Sequence, residues 1–450
     1  MASGACLLAL VSAGDAAPGE TRPGLVEVAG RTILERQVRL ACKAGAIEVL
    51  VVAPALPAEI ETRLARLGRI SRVTDTALLA FRLAWETADL LLLEPGAVVD
   101  ERLVESLARG EGGGRVLVFD RAPPPGAERI GSAEHWASVA RLPAARASAA
   151  LAGYPEWEPV GTLLRAALAE GAELVPVGSL PTYAEGRRRD VPFVWAKPVA
   201  AGGPAAAERQ LLTAAQKGCL DWPARFLHPH LENALVRLLW PTPVTPNMVT
   251  LATAVLGLVA LGLIFVGALL PALLLILLIG PLDGVDGKLA RTRVEYSRWG
   301  DLEHVLDKLL EYGWFVAFGW WFAATGHGLA AWLAAGGIIV FALLEAVDGE
   351  IFRRITGRQL DDWGPFERRF RLLAGRRNTF FWTLLPIGIA GLWWQGFLVI
   401  LGYAAVTFGI AHWRFLLRLL EYLRREAPAA RRNLEASRYG FLPKAGGQGS

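Results

Sequence analysis

Cysteine is scarce in this sequence, and its few occurrences form no pattern. The 450 residues contain three cysteines, at Cys6, Cys42 and Cys219, and no CxxC spacing occurs. Disulfide scaffolds and structural zinc sites both need thiols that are paired or regularly spaced. The sequence therefore argues against both classes.

A charged leader is missing as well. The first residues, "MASGACLLALVSAG", are apolar but carry no Lys or Arg, whereas secretion signals begin with a positive region. The next residues continue as alternating strand and helix patterns. We therefore predict that this segment is the buried first strand of a domain.

Charge is low, and apolar residues are abundant but unevenly distributed. Charged residues make up 20% of the chain and hydrophobic residues 53%, with a mean hydropathy of +0.35. The length allows two or three domains. Residues up to about 216 have a mixed composition, and most of the remaining chain is membrane-like. With a net charge of only +4, no nucleic-acid partner is expected.

The first part of the chain alternates between strand and helix patterns. Apolar strand patterns occur in "CLLALVSAG", "IEVLVVAP", "ADLLLLEPG" and "RVLVFD", and "TILERQVRLACKAG" is an amphipathic helix that ends at Gly45. This alternation predicts an α/β, Rossmann-like domain with a mainly parallel sheet covered on both faces. The linker-like "AAGGPAAAE" places the end of this soluble domain near residue 205.

An amphipathic segment comes next, at residues 217–242. Its apolar stripe and scattered charges are typical of a helix that lies in the membrane interface. A linker helix packed on the soluble domain is the alternative. The apolar stripe consists of Trp222, Phe226, Leu227, Leu231, Leu235, Leu238 and Leu239.

The remainder predicts an all-α polytopic membrane domain at residues 243–425, followed by a basic, flexible tail at 426–450. A helix needs about 20 apolar residues to cross a bilayer. Six candidate spans satisfy this requirement approximately: 248–268, 271–289, 304–324, 328–346, 379–396 and 398–420.

Positive charge is absent from one set of connecting segments. The turns "VGALLP", "ATGHG" and "WWQGF" contain no Lys or Arg, whereas the opposite loops and the tail are rich in arginine. The positive-inside rule then places the soluble domain, the arginine-rich loops and the C-terminus in the cytoplasm. An even number of spans agrees with this topology.

Carboxylates stand directly after the apolar run "ALLLILLIG". In a continuing helix, Asp283, Asp286, Gly287, Ala290 and Arg291 share one face, and Glu303 and Asp307 share a face of the next span. Carboxylates at membrane depth are costly, so such a group is by default functional. Oxygen-only ligands suit Mg²⁺ or Mn²⁺, which also bind substrate phosphates. Solvated charges at a helix end are the alternative.

The stretch "DGVDGKLAR" resembles the first half of the CDP-alcohol phosphotransferase pattern, D-x-x-D-G-x-x-A-R, which in that family precedes eight residues, a glycine and D-x-x-x-D. The segment "TPVTPNMVT" resembles the family's first span, and the resemblance covers about residues 217–425. It implies a multi-pass enzyme of a bacterial-type inner membrane, in contact with membrane lipid and homodimeric. It also implies transfer of a phospho-alcohol group from a CDP-alcohol donor to an alcohol or polyol-phosphate acceptor, with release of CMP, in phospholipid or polar head-group biosynthesis.

The second half of the pattern has two possible registers. Counted from Gly300 without a gap, the third and fourth carboxylate positions fall on His304 and Lys308, which cannot replace carboxylates around magnesium. With one residue missing, they fall on Glu303 and Asp307. We prefer the gapped register, but both remain open from the sequence.

The resemblance also implies roles for individual residues. The predicted metal ligands are Asp283, Asp286, Glu303 and Asp307, and Asp307 is also the candidate catalytic base. Asp283, Gly287, Ala290 and Arg291 are predicted to bind the cytidine diphosphate. Arg376 and Arg377, in "GRRNTFF", are candidates for binding an acceptor phosphate, with positive-inside anchoring as the alternative.

The soluble domain, for its part, resembles sugar-phosphate nucleotidyltransferases. The fusion is similar to inositol-phosphate cytidylyltransferase / di-myo-inositol-phosphate-phosphate synthase enzymes, which make CDP-inositol and then use it. However, the expected Gly-rich spacing is lost: Gly14 and Gly19 remain, Arg22–Pro23 replaces Lys-Pro, and only Glu94 or Asp100 could replace the metal-binding Asp. We therefore predict a degenerate domain. The alternatives are a bifunctional enzyme that also makes its CDP-alcohol from CTP, and an inactive membrane scaffold.

Overall fold

The computed structural model describes residues 6–17, 19–53, 55–109, 113–153, 158–296 and 300–436, without the side chains of 300–305 and 434–436. The chain divides into two compact units. The first unit contains residues up to Gln216 together with Val236–Val244 and Lys288–Tyr296, and the second contains the rest.

The first unit is built on a mainly parallel sheet. Its strands are β1 Leu7–Ser12, β2 Glu27–Val28, β3 Arg31–Thr32, β4 Glu48–Val52, β5 Ile70–Val73, β6 Asp89–Leu93, β7 Val98–Val99, β8 Arg115–Phe119, β9 His135–Pro143, β10 Glu173–Pro176, β11 Tyr183–Ala184, β12 Arg189–Asp190 and β13 Trp195–Ala196. Seven of them form one sheet in the order β10-β8-β9-β6-β1-β4-β5, in which β9 alone runs antiparallel to its neighbours. The short strands pair as β2–β3, β7–β13 and β11–β12.

Helices cover this sheet: α1 Ile33–Lys43, α2 Ala58–Leu64, α3 Thr76–Leu83, α4 Glu101–Ala108, α5 Ala144–Gly153, α6 Pro159–Ala169 and α7 Gly203–Ala215. A capping box between Thr32 and Glu35 sets the start of α1, because it satisfies backbone N–H groups that the helix leaves free. β1 is buried along its whole length, as expected of a central strand. The predicted α/β fold and the buried first strand are therefore confirmed.

Two short segments from later in the chain also belong to the first unit, and Arg293 connects them. Arg293 is 1% exposed, and its guanidinium donates to the backbone oxygens of Val244, Leu239, Trp240 and Thr242 at 2.7–3.1 Å. These carbonyls lie at or just after the end of a helix, where the helix itself supplies no partner. The segment Val236–Val244 is therefore held by one buried cation.

The second unit is helical. Its helices are α8 Trp222–Phe226, α9 His228–Leu239, α10 Pro246–Phe265, α11 Leu269–Arg293, α12 Gly300–Phe322, α13 Gly328–Thr356, α14 Pro365–Leu373, α15 Arg377–Ile389 and α16 Trp393–Ala436; the last residues of α9 and α11 fall in the first unit. Among the described residues, four stretches are long and apolar enough to cross a membrane: Pro246–Phe265, Leu269–Arg293, Leu306–Thr356 and Trp393–Asn433. Apolar helices of sufficient length are thus found where the sequence predicted a membrane domain.

The predicted number of six spans is not confirmed. The third and fourth predicted spans fall within the single stretch Leu306–Thr356, which is interrupted by a π-helical turn at Ala323–His327. Gly326 and Gly328 have φ values of 118° and 49° there, in the left-handed region that favours glycine. The fifth predicted span corresponds to α15, whose 13 residues are shorter than a bilayer requires.

The amphipathic segment forms two helices, α8 and α9, instead of one. On α9 the pattern usual for soluble proteins, with apolar residues buried and polar residues exposed, is reversed. Leu231 and Leu238 are 39% and 68% exposed, whereas His228 and Glu232 are 4% and 6% exposed. A helix against lipid presents such an outward apolar face, and its polar face is then directed inward.

Candidate functional site

The predicted donor motif lies on the last turns of α11. Val285 and Leu289 are buried, and Asp283, Gly287 and Ala290 are partly exposed. The 3.6-residue period thus puts the three motif residues on a common, accessible face, as the spacing predicted.

Asp283 meets Asp307 of α12 and Arg377 of α15. The carboxyl groups of Asp283 and Asp307 are within hydrogen-bonding contact, and Arg377 Nη2 lies 2.6 Å from Asp283 Oδ2. Two consecutive helices and α15, which is distant from them in sequence, therefore place two acids and one arginine together.

Asp286 occupies a different environment. It is 4% exposed, and its Oδ2 accepts a hydrogen bond of 2.7 Å from Thr250 Oγ1 of α10. Thr250 belongs to the "TPVTPNMVT" segment that resembled the family's first span. Its hydroxyl holds one carboxylate oxygen of Asp286 in position beside the motif face.

The structure also bears on the two registers. Asp307 is the residue that reaches Asp283, while Lys308 Nζ turns to Glu311 Oε2 at 2.8 Å, one turn further along α12. The side chains of Glu303 and His304 lie outside the described residues. The gapped register therefore stays a prediction, to which the geometry of Asp307 lends support.

The donor set fits a divalent cation in its chemistry. Two adjacent carboxylates concentrate negative charge beside the guanidinium of Arg377, and carboxylate oxygens are the ligands that Mg²⁺ and Mn²⁺ prefer. Among the described side chains, no group of three or more His, Cys, Asp and Glu residues is arranged to hold a metal ion. The described residues thus supply the pair Asp283 and Asp307, with Asp286 on the next turn.

Arg291, the last residue of the donor motif, is placed with the first unit. Its Nε donates to the backbone oxygen of Ala215 at 2.9 Å. It also lines a cavity of about 720 Å³, together with Lys43, Arg187 and Tyr296. The role predicted for Arg291 in binding diphosphate remains a prediction.

The two arginines proposed for an acceptor phosphate both have acidic partners. Arg377 pairs with Asp283, and Arg376 Nη2 lies 2.8 Å from Glu345 Oε1 and 3.9 Å from Asp361 Oδ2. Of the two, Arg377 is the one that the structure places beside the predicted carboxylates.

A polar cluster beside these residues was not predicted. Asn378 Nδ2 donates to both carboxylate oxygens of Asp221, at 3.2 and 3.3 Å, and the buried His228 lies nearby against Gly280. Burial lowers the pKa of His228. The sequence carried one signal that could have revealed this cluster: His228 and Glu232 are four residues apart on a helix whose other face is apolar.

In the first unit, the two acids that could have replaced a metal-binding Asp serve other contacts. Asp100 caps α4 and accepts hydrogen bonds from Arg102 N and Val194 N. Glu94 is 6% exposed, with one carboxylate oxygen 2.5 Å from Lys197 Nζ and the other 2.5 Å from Ser138 Oγ. Both carboxylates are therefore engaged by the protein itself.

Comparison with known proteins gives a family for the membrane region. Residues 243–344 match CDP-alcohol phosphatidyltransferase. No curated protein matches the chain. Among solved structures, UDP-glucose pyrophosphorylase from Acinetobacter baumanii aligns with a TM-score of 0.27 at 16% identity, covering 38% of this chain and 86% of that one. The matched residues include Thr250, Asp283, Asp286 and Asp307, and the family generally uses divalent metal ions. The chain therefore contains a CDP-alcohol phosphatidyltransferase domain at residues 243–344, from a family of phosphate-group transferases.

Proposed function

We propose that this protein transfers a phospho-alcohol group from a CDP-alcohol to the hydroxyl of an alcohol or polyol-phosphate acceptor and releases CMP. The observation that carries the proposal is the meeting of Asp283, Asp307 and Arg377 within a region that includes the matched domain. In the reaction, the acceptor oxygen forms a bond to the β-phosphorus of the donor. The bond from that phosphorus to the CMP oxygen breaks, and CMP takes the electron pair.

The described residues of the candidate site each have a role in this reaction. Asp307 accepts the proton of the acceptor hydroxyl, because it is the carboxylate on the helix opposite the donor motif. Arg377 fixes the carboxylate of Asp283, and Thr250 fixes that of Asp286, so that both keep their orientation through the reaction. Gly287 and Ala290 carry little side-chain bulk, which lets the donor approach the backbone of α11.

Asp283, Asp286, Glu303 and Asp307 are the residues that would hold Mg²⁺ or Mn²⁺. When bound, the metal neutralises the pyrophosphate and stabilises the leaving CMP. The carboxylates would hold the metal beside the accessible face of α11.

We further propose the setting of the reaction from charge and hydropathy. The arginine-rich loops and tail favour a multi-pass protein of a bacterial-type inner membrane, with the soluble domain and C-terminus in the cytoplasm. The outward leucines of α9 favour contact with lipid. A homodimer and a part in phospholipid or head-group biosynthesis are proposed from the family resemblance.

The experiment that tests this function is an assay of CMP release by purified protein in detergent. CDP-diacylglycerol and CDP-inositol are offered with Mg²⁺ or Mn²⁺ against polyol phosphates and lipid alcohols. We expect CMP with at least one pair and none after chelation with EDTA. Absence of CMP with every pair, in protein that remains folded, would favour the inactive scaffold.

For the first unit we propose a role other than nucleotidyl transfer. Ligands of open parallel sheets bind outside the carboxyl ends of the strands, and Glu94 directly follows β6 at that edge. Its charge is already matched by the ammonium of Lys197. The nearby Gly14 is packed as well, since a Cβ added there would lie 2.9 Å from Pro95 Cβ. Wild-type protein is therefore expected to release no pyrophosphate from CTP and polyol phosphates.

Replacing Lys197 by Met tests the pair directly. Glu94 is then left buried without its cation, and breaking such a pair costs about 3–5 kcal/mol of unfolding free energy at neutral pH. Burial already raises the pKa of Glu94, so its stabilising contribution is greatest below its ordinary pKa and is lost as the pH rises through the folded-state pKa. We expect thermal unfolding of Lys197→Met to approach that of wild type near pH 4. Lys43→Met, at the more exposed pair with Glu101, serves as the control and should cost less.

A further inference from the structure

Helix α9 presents its polar residues to the glycines of α11. A Cβ placed on Gly280 would lie 2.8 Å from His228 Cε1, and one placed on Gly284 would lie 2.6 Å from Glu232 Cδ. His228 and Glu232 are one helical turn apart, as are the two glycines, so the two faces are in register. Asp283 stands between these glycines in sequence. The polar face of α9 therefore borders the predicted donor motif.

One atom of this face has no partner. His228 is 4% exposed, and its Nε2 is buried without a hydrogen-bond partner in the described part of the chain. Leaving a buried polar nitrogen unpaired costs folding free energy, so each such atom calls for an explanation. A bound molecule with a polar group at this position would supply one.

A second unpaired donor lies in the same cluster. Trp382 follows Asn378 by one turn of α15, and its buried Nε1 also lacks a partner among the described residues. The ring of Trp382 packs 5.8 Å from that of Trp222, the residue after Asp221. Trp382 thus lies one turn from Asn378 on α15 and packs against the residue next to Asp221.

Asn378 also reaches the environment of His228. Its Oδ1 would lie 3.0 Å from the same Cβ position on Gly280 that His228 Cε1 approaches to 2.8 Å. The residue that precedes it, Arg377, is bound to Asp283. The cluster is therefore continuous with the carboxylates of the proposed reaction.

The chemistry of this cluster selects hydroxyl groups over phosphate. It offers a ring nitrogen of His228, the indole N–H of Trp382, the amide of Asn378 and the carboxylate of Asp221. A hydroxyl both donates and accepts hydrogen bonds, so it can satisfy all of these groups, whereas phosphate only accepts and is repelled by the carboxylate. Groups of this mixture are suited to a polyhydroxylated molecule.

We propose that His228 is a substrate-binding residue, whose Nε2 contacts a hydroxyl of a polyol acceptor head group held beside Asn378 and Arg377. The inference rests on the proposed function and narrows its acceptor to a polyol. His228 is assigned to recognition of the acceptor, and the cytidine diphosphate donor to the neighbouring motif on α11.

The test is a kinetic comparison of full-length variants with a polyol-phosphate acceptor that supports CMP release. His228→Ala is expected to raise the KM for the acceptor about tenfold or more and to leave the KM for the CDP-alcohol within about twofold, since one hydrogen bond of the acceptor is lost. His228→Gln, which retains a hydrogen-bonding group, should recover part of the loss. His230→Ala, at an exposed position on the same helix, is the matched control and should match wild type.

Deoxy analogues of the acceptor show whether the effect of His228→Ala comes from a lost contact with the acceptor or from a disturbed protein structure. One deoxy analogue should bind wild type as weakly as the intact polyol binds His228→Ala. His228→Ala should bind that analogue and the intact polyol with equal affinity. An unchanged acceptor KM in His228→Ala would overturn the proposal. So would an equal rise in the KM values for donor and acceptor in a variant that still distinguishes every deoxy analogue from the intact polyol. If no pair yields CMP in wild type, the proposed function fails first. Binding of the polyol phosphates by calorimetry then still decides whether His228→Ala weakens them.

Discussion

Replacing Asp307 by Asn is expected to lower kcat for CMP release on the order of 10³-fold, within the range by which general acid–base groups contribute to catalysis. The amide has the size of the carboxylate but cannot accept the proton of the acceptor hydroxyl, and it is a poor ligand for a divalent cation. Asp307 is the described carboxylate that reaches Asp283 across two helices. The measurement is the steady-state rate of CMP release with a saturating donor and acceptor.

The matched control for Asp307→Asn is Lys308→Gln. Lys308 is the next residue of α12, but its side chain is 47% exposed and pairs with Glu311. We expect Lys308→Gln to retain kcat within about threefold, because the half-exposed ammonium of Lys308 pairs with Glu311, one turn away from Asp307. The opposite result, with Lys308→Gln inactive and Asp307→Asn active, would favour the ungapped register and refute the assignment of Asp307.

The second large effect is expected on stability, from Arg293. Replacing this residue by Met removes the partner of four backbone oxygens at once and leaves Glu295 without one of its cations. Each buried carbonyl left unpaired costs about 1–3 kcal/mol. We expect a loss of at least about 3 kcal/mol in unfolding free energy, visible as a large fall in the thermal midpoint of purified protein.

Two further variants show whether the effect comes from the hydrogen bonds of Arg293. Arg293→Lys keeps the charge but cannot serve four separated oxygens, so it should recover only a small part of the loss. Arg425→Met removes a 74% exposed arginine and should leave the midpoint unchanged. A midpoint for Arg293→Met equal to that of wild type would contradict the role assigned to this guanidinium.

Much of the soluble fold could be read from the sequence because its strands are continuous apolar runs. The patterns "CLLALVSAG" and "IEVLVVAP" correspond to β1 and β4, which pair in parallel. Helix α1 ends two residues before Gly45, whose φ of 97° suits the end of a helix. These features are local, so they leave a trace in the sequence.

The membrane region was less readable. Hydropathy located its apolar helices, but it could not show that α15 has only 13 residues or that Leu306–Thr356 is interrupted by a π-helical turn instead of a loop. The reversed face of α9 was missed for a similar reason. Amphipathic patterns do not state which side faces lipid, and burial of His228 depends on packing against Gly280.

In the candidate site, spacing along one helix was informative and contacts between helices were not. The common face of Asp283, Gly287 and Ala290 followed from the helical period. The pairing of Arg377 with Asp283 joins residues 94 positions apart, and no local pattern encodes it. The same is true of Asn378 and Asp221, which are 157 positions apart.

The division of α11 between the two units bears on the order in which its contacts form during translation and on whether the two parts of the gene can be separated. Gly287 belongs to the second unit and Lys288 to the first, so the boundary falls inside α11. During translation, residues up to 244 leave the ribosome before 288–296, so the backbone oxygens that Arg293 binds are already present when it is made. Loss of the soluble part of the gene would leave residues 288–296 without the rest of their compact unit.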